Sequence, residues 1–285
     1  MSRDLGYCIF TFEGGDWSKD DFAGLDQGFV AAKEIGFSYV EIPSYVYHAG
    51  AGRTDIQFLH RIGRILEMSE RHGVPLSAIF AAAELLDPGI REEEADHLVV
   101  LARLASTMGI KALPVTLSMT HASHGTEEAA LLGKVLSEVG HRTLACGVRI
   151  AAHPHIGCPV ENPEQIAAFC AAADPASVGL CLDTGHVLAG GGDPVKIAAE
   201  FGDRVVYVHL KDLDSHAYAT ASDEGREKYK AFRDPGQGDV DFVGVMHELD
   251  RHGFDGPVLA ENDMSPDARG SMERAYTYLR TELKL

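Results

Sequence analysis

Eight times along this chain a short apolar run gives way to a polar turn and then to a helical pattern, with a period of roughly thirty residues. The runs are LGYCIF (5–10), FSYVEI (37–42), PLSAIF (75–80), ALPVTL (112–117), VRIAAH (148–153), VGLCLD (178–183), VVYVHL (205–210) and PVLAEN (257–262). A strand apolar at nearly every position is buried on both faces, which is the mark of a parallel sheet covered by helices. The intervening stretches 55–73, 95–109 and 240–253 are apolar at helical spacing, and each closes on Gly. Eight strand–helix units favour closure into a (β/α)8 TIM barrel, an α/β fold. An open doubly wound sheet would carry a glycine-rich phosphate loop after an early strand, and none opens a helix here.

The 285 residues fit one barrel domain spanning 1–285. One connection is long: 211–237, KDLDSHAYATASDEGREKYKAFRDPGQ, follows the seventh strand, where an insertion commonly builds or covers an active site. Its EGREKYKAF part reads as a short helix. A formal charge of −18 argues against nucleic acid and anionic membranes as main partners. No apolar stretch reaches the ~18 residues of a membrane span, and MSRDLGYC does not read as a signal peptide. The five cysteines form no C-x-x-C pair and read as small core residues. Reduced thiols and a cytoplasmic location are expected.

Several apolar runs finish on an ionisable side chain: Glu41, His153, Asp183, His209 and Glu261. Taken singly, a His or Glu at a strand end is most often a capped or exposed residue. Five at one topological level converge on one mouth, the face where barrels of this kind carry their active sites. His153, Asp183, His209 and Glu261 form a mixed nitrogen and oxygen set suited to Mn²⁺, Co²⁺, Fe²⁺, Zn²⁺ or Mg²⁺. His153 and His155 are two apart, so either can ligate while the other meets substrate. His186 and Lys211 belong near the mouth as well, Lys211 having a surface ion pair with Asp212 or Asp214 as its alternative. His48, His121 and His124 fall on loops and are expected to be exposed.

LDTGH followed by GGD, then HLKD, PGQGDVDF (235–242) and a last strand ending in Glu resemble the xylose-isomerase-like TIM-barrel superfamily of sugar isomerases, epimerases and dehydratases. The resemblance covers most of the chain and is strongest over 148–262. AAHPHIGCPV and LDTGHVLAGGGDP look most like inosose dehydratases within that group. The resemblance implies a metal site at His153 (or His155), Asp183, His209 and Glu261, with Mn²⁺ or Co²⁺ favoured, and a homo-oligomer. Epimerases of the group carry Glu on the fifth strand, where this chain has His153, which puts two-base epimerisation by a Glu pair in doubt.

The chemistry expected is enolisation of a keto-cyclitol or keto-sugar followed by β-elimination, as in an inosose dehydratase or in elimination from a 3-keto-glucoside. The ion would polarise the carbonyl as a Lewis acid, and imidazole suits the proton transfers. His155 or Glu261 is the expected base, and His186 or the other carboxylate the acid. Glu41, His186, Lys211 and Arg233 are the expected substrate-binding residues. The alternative is a metal-dependent isomerase or epimerase working through an enediolate. An endonuclease IV-type reading shares the D-T-x-H strand, but it needs histidines where strands three and four end in Phe80 and Thr116/Leu117. A binding-only barrel is disfavoured by an intact ligand set with a base beside it.

Overall fold

The computed structural model describes residues 3–13, 22–44, 55–119, 124–222 and 226–285. All eight expected strands are present: β1 (Gly6–Cys8), β2 (Tyr39–Pro43), β3 (Leu76–Ala83), β4 (Ala112–Leu117), β5 (Arg149–His153), β6 (Val178–Asp183), β7 (Val205–Leu213) and β9 (Val258–Glu261). They pair in parallel in the order β6-β5-β4-β3-β2-β1-β9-β7, and β6 pairs with β7 to close the barrel. A two-residue strand, β8 (Phe232–Arg233), pairs antiparallel with the end of β7.

Helices cover the outside: α1 (Phe22–Ile35), α2 (Asp55–His72), α3 (Arg91–Thr107), α4 (Thr126–Leu144), α5 (Pro163–Ala172), α6 (Thr184–Ala189), α7 (Pro194–Phe201), α8 (Ser215–Thr220), α9 (Phe242–Arg251) and α10 (Ala268–Thr281). The one-helix-per-strand expectation is exceeded at two places. Two helices follow β6, because Gly190–Gly192 break the chain and Asp193 caps a new helix through the N–H groups of Val195 and Lys196. Two also follow β7, where α8 opens the long connection under an Asp214 cap.

Three strand ends differ from the sequence pattern. β1 has three residues because Ile9–Glu13 turn into a 3₁₀ helix. β3 runs three residues past Phe80, to Ala83, and β7 runs three past Leu210, to Leu213. Within the connection, the described part of the EGREKYKAF segment forms a short 3₁₀ helix, Lys228–Ala231, and residues 224–225 lie outside the described residues.

Two apolar layers result from the alternation of strand side chains. The outer layer, between staves and helices, holds Leu, Ile, Val and Phe such as Phe29, Ile79, Leu113, Phe169 and Leu249, all fully buried. Each such side chain contributes about 1.5–3 kcal/mol on burial, so this layer carries most of the stability. The inner layer is lean by comparison: Cys8, Ala78, Ala151, Cys181 and Leu259, with Phe80 and Tyr207 as its bulk. Small residues below leave room for polar ones above.

Candidate active site

DTGH at 183–186 shows how local sequence places the chemistry. Asp183 ends β6 and caps α6, its Oδ1 accepting the His186 N–H at 2.7 Å. That leaves Oδ2 free to face the barrel axis. Thr184 Oγ1 donates to the Lys211 carbonyl at 2.7 Å and accepts the Lys211 N–H at 3.0 Å, tying the turn to β7. Gly185 is required because a Cβ there would stand 2.8 Å from Lys211 Cγ. His186 then enters the cavity wall, 1% exposed.

HLKD on β7 works in the same way. His209 and Lys211 share the inward face, paired in register with Asp183 on β6 and Glu261 on β9 respectively. Asp212 points outward and accepts four backbone N–H groups, from Leu213 and Val240 at Oδ1 and from Gly236 and Gly238 at Oδ2, all at 2.8–3.0 Å. Gly238 fits there because a Cβ would come within 2.5 Å of Asp212 Oδ1. The PGQGDV segment is thereby the anchor for the far end of the long connection.

The four expected metal donors meet. His153 Nε2 lies 3.3 Å from Asp183 Oδ2, and His209 Nδ1 lies 2.9 Å from Glu261 Oε2 and 3.8 Å from Asp183 Oδ2. Donors about 2.1 Å from one ion stand about 3.0–3.4 Å apart at octahedral or tetrahedral angles, so the 3.3 and 2.9 Å separations fit and the 3.8 Å one is wider. The 2.9 Å approach lies outside hydrogen-bond geometry, and Glu261 Oε2 and His209 Nδ1 are both buried without a hydrogen bond. Buried polar atoms ordinarily find a partner; two that face each other in this way fit a cation shared between them. Sulfur lies one layer below, where Cys8 and Cys181 come close to His209. Burial pushes the Cys181 thiol up to about 12 and the Cys8 thiol well above its ordinary value.

Above the donors is a cavity of about 240 Å³. His153, His155, His186, Lys211, Glu261 and Asp263 form its polar wall, and Phe10, Phe80, Ala82, Met119 and Tyr229 its apolar one. The imidazoles of His155 and His186 stand 3.8 Å apart, centroid to centroid. Burial, reinforced by His153 and Lys211, pushes His155 down to about 3. Burial, with His155 and Lys211 beside it, likewise holds His186 well below the usual histidine range. Both rings are therefore neutral. His155 Nδ1–H donates to the Ile156 carbonyl at 2.7 Å, which fixes the tautomer and leaves a lone pair on Nε2.

Lys211 is not at the surface with Asp212 or Asp214. Its ammonium lies 2.7 Å from Glu261 Oε1, 3.0 Å from Asp263 Oδ2, 3.7 Å from Asp183 Oδ2 and 3.4 Å from His186 Nε2. Burial disfavours the charge, but Asp263, Glu261 and Asp183 outweigh it and hold Lys211 well above its ordinary value. Burial likewise opposes the Glu261 carboxylate, and Lys211 and His209 hold it well below the usual range.

Two expected substrate contacts lie outside the cavity lining. Glu41 is fully buried beneath the cavity, 3.0 Å from His209 Nε2 and accepting the Cys8 thiol at 3.4 Å. It is not a lining residue, because β2 continues past it to Pro43 and Glu41 sits a layer below the mouth. Arg233 is spent on its own connection, donating to Lys230 O and Phe232 O and pairing with Asp214 at 3.1 Å. The arginine that lines the cavity is Arg226. His124 is half-buried away from the cavity lining, and His48 and His121 fall outside the described residues.

Sequence reasoning missed Asp263, Tyr229 and Arg226. Asp263 had a signal, since it follows Glu261 by two as Lys211 follows His209. Nothing in the long connection marked Tyr229 or Arg226.

The xylose isomerase-like TIM barrel family matches residues 29–281. An inosose dehydratase of Geobacillus kaustophilus is 26% identical over 93% of this chain and 89% of its own length. One of Bacillus licheniformis is 31% identical over 154 residues, so that match spans only about half the length of that relative. Among solved structures, the IOLI protein with a bound zinc atom superposes at a TM-score of 0.71, with 21% identity over 97% of this chain and 94% of that one. A D-allulose 3-epimerase from Methylomonas sp., in complex with D-allulose, gives 0.71 and 16% over 98% and 96%. At these identities the superpositions speak for the fold alone.

Proposed function

Because the chain belongs to the xylose isomerase-like TIM barrel family, we propose that it is a divalent-metal-dependent carbon–oxygen lyase acting on a keto-cyclitol or keto-sugar. Dehydration of an inosose is the leading reaction. The observation that carries this reading is His155: an imidazole in the cavity wall whose Nδ1–H is committed to the Ile156 carbonyl, above four convergent side chains that would hold an ion.

His153, Asp183, His209 and Glu261 would hold the ion, which supplies Lewis-acid polarisation of the substrate carbonyl. Elimination then needs a base at the α-carbon and a proton for the departing hydroxyl. His155 Nε2 takes the α-proton, the C–H electron pair becomes the new C=C bond, and the β C–O bond breaks. Lys211, held protonated beside His186, is the donor that meets the leaving oxygen, so that water departs. Glu261 is not the base in this reading: Oε1 is engaged by Lys211 and Oε2 by the donor cluster.

Epimerisation by two bases needs them on opposite faces of the substrate. Here the two neutral imidazoles lie against each other on one wall, which favours elimination. The test is proton NMR of the Zn²⁺-loaded protein with 2-keto-myo-inositol in D₂O. Loss of water to an unsaturated or diketo product is expected. Deuterium entering the α-carbon without water loss would replace the lyase by an isomerase or epimerase.

A further inference from the structure

Among the described residues Lys211 has three carboxylate neighbours, and two of them, Glu261 and Asp183, belong to the proposed metal donor set. Only Asp263, whose Oδ2 is 3.0 Å from Nζ, lies outside it. An ammonium and a divalent cation compete for the charge of the same carboxylates, so the partition of Lys211 among these acceptors sets how much charge the donor set offers. The lysine has no escape to solvent. Its side chain is 2% exposed, its stem packs against Gly185, and strand register holds it opposite Glu261.

We propose that Asp263 is a positioning residue that competes with Glu261 and Asp183 for the Lys211 ammonium, and so sets the metal affinity of the site. This rests on the metal reading given above. Without the Asp263 carboxyl, the acceptors left to the buried ammonium among the described residues are the two ligand carboxylates and the His186 imidazole, and it settles on the carboxylates. With Asp263 present, it is retained at the cavity wall next to His186, where it serves substrate and leaves the donors to the ion. The effect is transmitted through Lys211, which separates it from a general loss of negative charge near the metal.

The test is a double-mutant cycle read by metal affinity, not by turnover. Zn²⁺ binding would be measured by competition with a chromogenic chelator for the parent protein, Asp263→Asn, Lys211→Met and the double variant, with folding checked by circular dichroism. Asp263→Asn should weaken Zn²⁺ by ~10-fold or more, the scale of other groups that orient metal ligands. Lys211→Met should bind at least as tightly as the parent, and in that background Asp263→Asn should change affinity by less than about threefold. An equal loss in both backgrounds would overturn the proposal, since Asp263 would then act by its own charge. No loss in either would also overturn it. Should Asp263→Asn fail to fold, Asp263→Ser enters the same cycle. A parent protein that binds no Zn²⁺ would instead sink the metal reading and this inference with it.

Discussion

At the mouth of the barrel, β1 to β4 and the turns after them present Phe10, Phe80, Ala82, Thr116 and Met119 to the cavity. β5, β6, β7 and β9, with their following turns, present His153, His155, His186, Lys211, Glu261 and Asp263, with Asp183 and His209 just beneath. Among the described residues, one scaffold thus carries a largely apolar half and an ionisable half around this cavity. The apolar half packs on the imidazoles: the Phe80 ring lies 5.1 Å from that of His153 and 5.9 Å from that of His209. A low-dielectric wall strengthens every charge interaction across from it, so the two halves do different work for the same chemistry.

The sharpest way to break this division is at Asp183. Asp183→Ala removes a donor and the α6 cap together, and should abolish metal binding and lower turnover by ~10³-fold or more. Elemental analysis alongside the NMR assay checks both, and a fully active, metal-free variant would end the account. His155→Ala should keep the metal and cost about 10²–10³-fold in turnover, within the range of a lost general base. If metal content fell in parallel with turnover, His155 would belong to the donor set and not to the wall.

The apolar half should respond in stability instead. Phe80→Leu is expected to cost about 1–2 kcal/mol in urea unfolding, with Zn²⁺ content unchanged. Loss of the ion with no change in unfolding would show that this half also shapes the donors. Thr116→Val should do least. Its hydroxyl is 3.4 Å from His153 Nδ1, a long contact, so turnover and affinity should move by no more than about threefold. A tenfold loss of affinity would mean that the apolar half orients a ligand after all, and the comparison would need redrawing.

The strands and the convergence of the four strand-end residues were legible because both are local signals. A parallel stave buried on both faces reads as an unbroken apolar run, and an ionisable residue where the run stops is conspicuous. His153, Asp183, His209 and Glu261 were found in this way, and the structure brings them together. Depth was not legible. Glu41 and Glu261 look alike in sequence, each following an apolar run, yet one lies a layer below the cavity and the other lines it.

What the sequence by itself determined was the periodicity of the elements, the closure implied by eight of them, and which residue types stand near the strand ends. Tertiary structure alone decided how far each end projects along the axis. That depends on β-pairing register between strands distant in sequence, such as Asp183 opposite His209 and Lys211 opposite Glu261. It also decided that Arg226 and Tyr229 face the cavity while Arg233 does not. The path of the long connection is fixed by Asp212 gathering the backbone N–H groups of Gly236, Gly238 and Val240, from residues 24 to 28 positions away. Hydrogen bonds of that span leave no periodicity in the chain, and they exist only once the barrel has closed.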